Sequence, residues 1–428
     1  MRSKEKKAKS AIDDLPPLVR SLGPSMDEIG VNYFLRCFVF GGQTSSRGCL
    51  NYLPSVYHAD GEQPTLVASM AAVGLVALAN STQEPALASH ARIKYSKAVC
   101  EVNTALASPI ESVKDSTLMS VISLGVFEHI SKHESWARHV EGAAALVVAR
   151  GKSQFSSPLA IRMFNQVRAD LVVVCVHGAK PFPKDMLDLQ EEASKHPECF
   201  HSFWQLGVLS TRCANLLMSV RGNKKTGKIP WSDLLEEATT LDGDFHDLSG
   251  CLAEQEPYKT RESEGDPNII YNGRVDLYQD SWAIRLWNNM RSLRMITCEI
   301  ACVILNIALA TNLAPADREC IKLRLQKTMQ TLSTLGDDIL ATVPQALESL
   351  FSASKPGSPV NLSFDGNVSG GYMLTWGLYM VGKSPAATSG ARQWIIRLLQ
   401  DVYMNAGLSI ALQIAEHIRQ IEDAAKYE

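Results

Sequence analysis

Net charge is nearly missing from this chain: 42 Lys and Arg face 45 Asp and Glu, a formal charge of −3 over 428 residues. The whole chain therefore lacks the positive footprint that phosphate-driven nucleic-acid binding needs, and such a role requires a local patch or a partner. Dense, regular cysteine spacing is missing too. The ten cysteines, at positions 37, 49, 100, 175, 199, 213, 251, 298, 302 and 320, do not read as a secreted disulfide scaffold; most are expected to be free, buried thiols. No apolar run reaches the roughly 20 residues that span a bilayer. The longest, Leu66 to Ala79, reads as a buried helix, and no membrane role is expected. Pro16, Pro17 and Arg20 stand where a signal peptide needs an apolar segment, so the expected location is inside the cell. Sustained period-two alternation is scarce, which argues against a substantial β-sheet.

What is present suits a folded protein. With 46% apolar and 20% charged residues the chain is far from the disordered profile, and its length supports a large core. The opening MRSKEKKAKS sets Arg2, Lys4, Lys6, Lys7 and Lys9 against Glu5. Residues 1–24 read as a basic flexible tail and linker, either simply solvated or a nuclear-import or phosphate-touching segment.

Helical periodicity dominates the rest. From Asp115, Leu118, Ile122, Val126 and Ile130 recur at four-residue steps. A second helix is predicted from Ser135 to Arg150, with Trp136, Val140, Ala144 and Val147 inward, Arg150 complementing the helix dipole and Gly151 stopping it. Trp282, Leu286, Met290, Leu293, Ile296, Ile300 and Ile304 predict one long helix with Arg285, Arg291 and Arg294 towards its polar side. Trp394, Leu398 and Val402 predict another, broken at Gly407 before Ile410, Ile414 and Ile418. Loops are expected at 152–158, 178–185, 221–230, 251–275, 352–371 and 381–391, the fourth a mobile acidic one. The fold expected is all-α: a large array of packed helices over residues 25–428, in one body or two closely joined bundles.

Chemistry-bearing motifs are weak. Gly222-Asn223-Lys224-Lys225-Thr226-Gly227-Lys228 fits seven positions of a phosphate-cradling loop, but Ile229 replaces the magnesium-binding hydroxyl and Pro230 follows. His129 and His133 lie one turn apart, and His196, Cys199 and His201 cluster, without the second ligand pair of a structural zinc site. His139 reads as a hydrogen-bonded core histidine, and Cys298 with Cys302 as small buried side chains. No catalytic site, metal or cofactor is expected, although residues scattered in sequence can still assemble a site on folding.

Several segments together resemble the fungal-specific transcription-factor domain, the helical regulatory region found downstream of a two-zinc, six-cysteine cluster. Trp136-Ala137-Arg138-His139-Val140-Glu141-Gly142-Ala143, then Arg150-Gly151, Phe155, Arg162, Phe164 and Val167-Arg168, are similar to its first block. Tyr278-Gln279-Asp280-Ser281-Trp282, then Leu286-Trp287-Asn288, Arg291 and Arg294, resemble the second. Val343-Pro344, Gly371-Tyr372, Trp376-Gly377-Leu378-Tyr379 and Arg392-Gln393-Trp394-Ile395 continue in the same order. The sequence departs from the family in that no Cys precedes Cys37, so the expectation is a regulatory domain without its paired Cys-x-x-Cys reader, either a natural variant acting through others or a product beginning downstream of the cluster.

The resemblance implies a nuclear, transcription-regulator-like protein, with the cytoplasm as a further location. It would act by dimerisation or through a protein partner, with no sequence-specific DNA binding of its own and with a small-molecule effector as an option. The alternative is a helical domain recruited for small-molecule binding or catalysis in secondary metabolism; a structural assembly subunit is a third reading. For the signature residues Trp136, Trp282, Trp287, Trp376, Trp394, His139, Gly142, Arg150, Gly151, Arg168, Arg291, Arg294 and Pro344, packing is the expected role, ahead of ligand contact.

Overall fold

The computed structural model describes residues 23–40, 47–58, 63–131, 135–178, 180–226, 231–311, 314–347 and 367–425. The basic start, His133 and most of the 352–371 stretch lie outside them. The described residues are almost wholly helical: α1 (Met26–Phe38), α2 (Leu53–His58), α3 (Pro64–Thr82), α4 (Pro85–Leu106), α5 (Asp115–Ser131), α6 (Trp136–Arg150), α7 (Pro158–Gly178) and α8 (Lys184–Ala193) come first. Then follow α9 (Ser202–Thr226), α10 (Trp231–Gln255), α11 (Ser281–Leu309), α12 (Pro315–Leu340), α13 (Val343–Ala346), α14 (Asn367–Lys383), α15 (Ser389–Ala406) and α16 (Ser409–Ala424).

Local chemistry sets many of the helix ends. Ser25 and Glu28 form a reciprocal capping box on α1, each side chain taking the other residue's backbone N–H at 3.2 and 2.7 Å. Asp280 caps α11 by accepting from the Ala283 N–H at 3.0 Å, and Thr388 caps α15 in the same way at Ala391. Proline opens α3, α4 and α12, where a missing N–H is harmless. Gly407, at φ 64°, ends α15 as expected.

One continuous apolar core joins the described helices. Helix α3 is buried along most of its length and crosses α1 with backbone against backbone. A Cβ at Gly74 would overlap the Gly30 carbonyl, and one at Gly30 would press on Ala71. Helix α11 forms the central post, flanked by α9, α10, α12 and α14. Both α3 and α11 are long and apolar enough to cross a bilayer by composition, but 67% and 61% of the relevant windows are buried against the rest of the protein. Packing accounts for that apolarity.

The structure corrects the sequence reading in three places. Residues 251–275 are not loop throughout: α10 runs on to Gln255, and β1 (Tyr258–Glu262) pairs antiparallel with β2 (Arg274–Tyr278). The acidic residues hid an apolar anchor. Tyr258 stacks on Tyr278 at 4.8 Å, and Val275 and Asp276 are buried, so the ribbon is held by its inner face rather than by its composition. Helix α9 continues to Thr226 through half of the expected 221–230 loop. The arginines placed on the polar side of α11 turn inward: Arg291 is 1% exposed and Arg285 is half-buried. Their heads are met by aromatic, thiol and carboxylate groups from other elements, which periodicity within one helix cannot register.

Candidate functional site

The signature residues divide by what they touch. Trp282 packs edge-on against Phe203 at 4.8 Å; Trp287 donates its indole N–H to the Glu256 carbonyl at 2.8 Å; Trp394 donates to the Pro267 carbonyl at 2.9 Å. All three are buried and join α9, β1 and the 263–273 segment to the core. His139 sits half-buried between helices, its Nε2 3.0 Å from the Tyr95 hydroxyl, which donates to Glu128 at 2.7 Å. Burial lowers its pKa, in keeping with the core-histidine reading. Gly142 faces Val121 across the α5–α6 contact with room to spare, so no close approach demands glycine there. Arg150, at the end of α6, pairs with Asp115 at the start of α5, and Gly151 follows at φ 65°. Pro344 lies in the first turn of α13.

Three arginines hold the interior. Arg294 forks onto Asp242 of α10 at 2.7 and 3.3 Å. Arg291 donates to the Tyr278 hydroxyl at 2.8 Å under the rings of Tyr258 and Trp287. Arg168 is fully buried with no carboxylate within 4 Å among the described residues; it donates to Gln190 at 2.9 Å, Asn165 at 2.5 Å and the Trp204 carbonyl at 3.1 Å, its guanidinium 4.0 Å above the Trp204 ring. Burial pulls its pKa down to about 9, which still leaves it cationic at neutral pH.

Trp136 and Trp376 behave differently. Both are half-buried and face a partly open cavity of about 740 Å³ lined by α5, α6, α7, α9, α11, α14 and α16. That volume lies inside the range of roughly 300–1,000 Å³ typical of small-molecule sites. The walls are mainly aliphatic and aromatic, with Val172, Val173, Phe203, Leu293, Tyr372 and Trp376 among them. At one end the exposed His177 stacks on Tyr379 and the exposed His417 tilts against it, each with its ring centre 5.6 Å from the tyrosine's.

Three charged side chains line this largely apolar chamber: Lys180, at its exposed rim and paired with Glu141, and, further in, Asp170 on α7 and Arg285 on α11. The latter two also line a smaller adjoining space of about 30 Å³ towards Gln166, Cys49 and His139. Among the described residues no ion pair within 4 Å joins them, although each feels the other's charge. Asp170 accepts from Gln166 at 2.9 Å, and Arg285 donates to the Cys49 thiol. Burial pushes the Asp170 carboxyl up to about 6, against the opposing pull of Gln166 and Arg285. Burial works against the Arg285 charge as well, but Cys49, Tyr372 and Asp170 together keep its pKa above the ordinary value. Chemically the arrangement places a hydrogen-bond donor and an acceptor at the wall of a largely apolar cavity.

Sequence reasoning singled out neither Asp170 nor the role of Arg285. A signal existed in the single carboxylate of Ala169-Asp170-Leu171-Val172-Val173-Val174, an ionisable residue placed in an otherwise apolar helical run. Of the metal candidates, His129 lies 4.9 Å from Tyr372 ring to ring at the cavity wall. His201 accepts the Trp204 N–H at 3.1 Å, and His196 tilts against Phe155. All ten thiols are free, and seven of them are buried. The Gly222–Thr226 part of the phosphate-loop-like segment is helical; the remainder lies outside the described residues.

Residues 31–173 match the family model described as the fungal specific transcription factor domain. The match takes in α2 to α6, α1 from Val31 onward and most of α7, and with them the block from Trp136 to Arg168; the second block, from Tyr278, lies outside it. This similarity supports a transcription-regulator-like role. Comparison with curated proteins and with solved structures gave no match.

Proposed function

We propose that this protein is a transcription-regulator-like effector domain working in the nucleus, which acts through a protein partner or a second copy of itself and responds to a small molecule held in the central cavity. The observation that carries the reading is the chamber itself. Helices of the matched region supply His129, Trp136 and Asp170, and helices beyond it supply Arg285, Tyr372, Trp376 and His417. A ligand there bridges both halves of the fold, and only differential contacts of that kind shift a conformational equilibrium that a partner then reads.

The test tethers the full chain to an unrelated DNA-binding module at a reporter promoter. The native chain is expected to change transcription. Ala169→Phe, which puts a ring into the chamber, is expected to fix the output at one level. A tethered chain without effect, together with unchanged transcripts after gene deletion, overturns the reading. Accumulation of one metabolite with normal transcripts replaces it with an enzyme using the same cavity.

A further inference from the structure

We propose that the cavity recognises a planar aromatic molecule bearing a neutral group with adjacent donor and acceptor, of the carboxamide or lactam kind, its N–H on Asp170 and its carbonyl on Arg285. This rests on the effector reading above and adds to it the chemistry of the effector. The walls set the body of the ligand: Trp136, Phe203, Tyr372 and Trp376 offer ring faces and edges, and Val172, Val173 and Leu293 fill between them.

The polar pair sets the head. Asp170 and Arg285 both face the chamber without touching each other, so each keeps bonding capacity for a third group. Gln166 meets one carboxylate oxygen of Asp170, and the other has no partner among the described residues. Arg285 spends one N–H on Cys49 out of the five that a guanidinium carries. A hydrocarbon leaves both charges unpaired in an apolar space, which is unfavourable. A carboxylate suits Arg285 but lies against Asp170, and an ammonium group meets the reverse conflict. A neutral amide edge satisfies both sides at once, with charge-assisted hydrogen bonds in each direction.

Calorimetric titration of the full-length protein with 2-naphthamide, 2-naphthoate and 2-methylnaphthalene tests the proposal. The naphthamide is expected to bind about tenfold or more tighter than either of the others. In Asp170→Asn a donor replaces one acceptor, so naphthoate is expected to gain more than about tenfold while the naphthamide weakens, and naphthoate then binds the tighter of the two. Naphthoate or the hydrocarbon matching the naphthamide on the native protein overturns the ligand class, and so does an unchanged order in Asp170→Asn. Failure of all three to bind overturns it as well. The reporter output of Ala169→Phe then decides separately whether any effector uses the chamber. The order on unmodified protein stands as a test even where the variant fails to fold.

Discussion

Gly207 on α9 and Arg168 on α7 occupy complementary space: a Cβ at Gly207 would overlap the Arg168 guanidinium. The glycine is what lets a full cation lie flat on the Trp204 ring between two helices. Because that cation is held only by neutral acceptors, displacing it leaves a buried charge with fewer partners. Gly207→Ala is therefore expected to destabilise by about 3–5 kcal/mol, measured by chemical denaturation. An effect within about 0.5 kcal/mol would show that Arg168 simply moves aside.

Gly74 and Gly30 make the second such contact, between α3 and α1. Here the obstacle is a carbonyl, which cannot rotate away as a side-chain tip can. Gly74→Ala is expected to cost at least about 3 kcal/mol, above the usual range for overpacking, and to separate α1 from the core. Hydrogen exchange along residues 26–38 should report that separation directly; unchanged protection would contradict it.

The tryptophans should separate into two classes. Trp282 fills closed space beside Phe203, and Trp282→Ala is expected to lose about 3–5 kcal/mol. Trp376 faces the chamber, so Trp376→Ala removes fewer contacts and should lose about 1–2 kcal/mol while changing naphthamide affinity. Equal losses from the two truncations would remove the distinction between a packing and a ligand-facing indole.

Asp170 makes stability depend on pH in a definite direction. Its folded pKa of about 6 lies above the ordinary carboxylate value of about 3.9, so the folded state binds the proton more tightly. The resulting stabilisation is fully present below about pH 4 and is lost as the pH rises through about 6. Compared with the native chain, Asp170→Asn should gain on the order of 2 kcal/mol at pH 8 relative to pH 4. Parallel denaturation curves for the two proteins across that range would sink the assignment of a raised pKa to this residue.

Arg150 and Asp115 bind the end of α6 to the start of α5. With Arg150 mostly buried and Asp115 partly exposed, a double-mutant cycle of the two alanine variants should give a coupling of about 1 kcal/mol. A coupling near zero would reduce the pair to separate helix-dipole contacts.

Much of the fold is readable along the chain because helices report themselves at short range. The four-residue steps of Leu118, Ile122, Val126 and Ile130 give α5, and the stripe from Trp282 to Ile304 gives α11. The ribbon at Tyr258 and Tyr278 was less legible, since its strands are short and only their partner across the turn explains them. The chamber was not legible at all in this way. Its walls come from seven helices spread between His129 and His417, and Asp170 and Arg285 lie more than a hundred positions apart.

The sequence by itself determined that the chain is helical, where several of its helices run, and that its tryptophans and arginines follow an order resembling a regulatory domain. Only the tertiary structure decided which of those side chains pack and which face open space, and that Asp170 and Arg285 line the same cavity. The reason is physical: helix formation is governed by neighbours a few residues apart, whereas burial, desolvation and the pairing of charges depend on groups that only folding brings together.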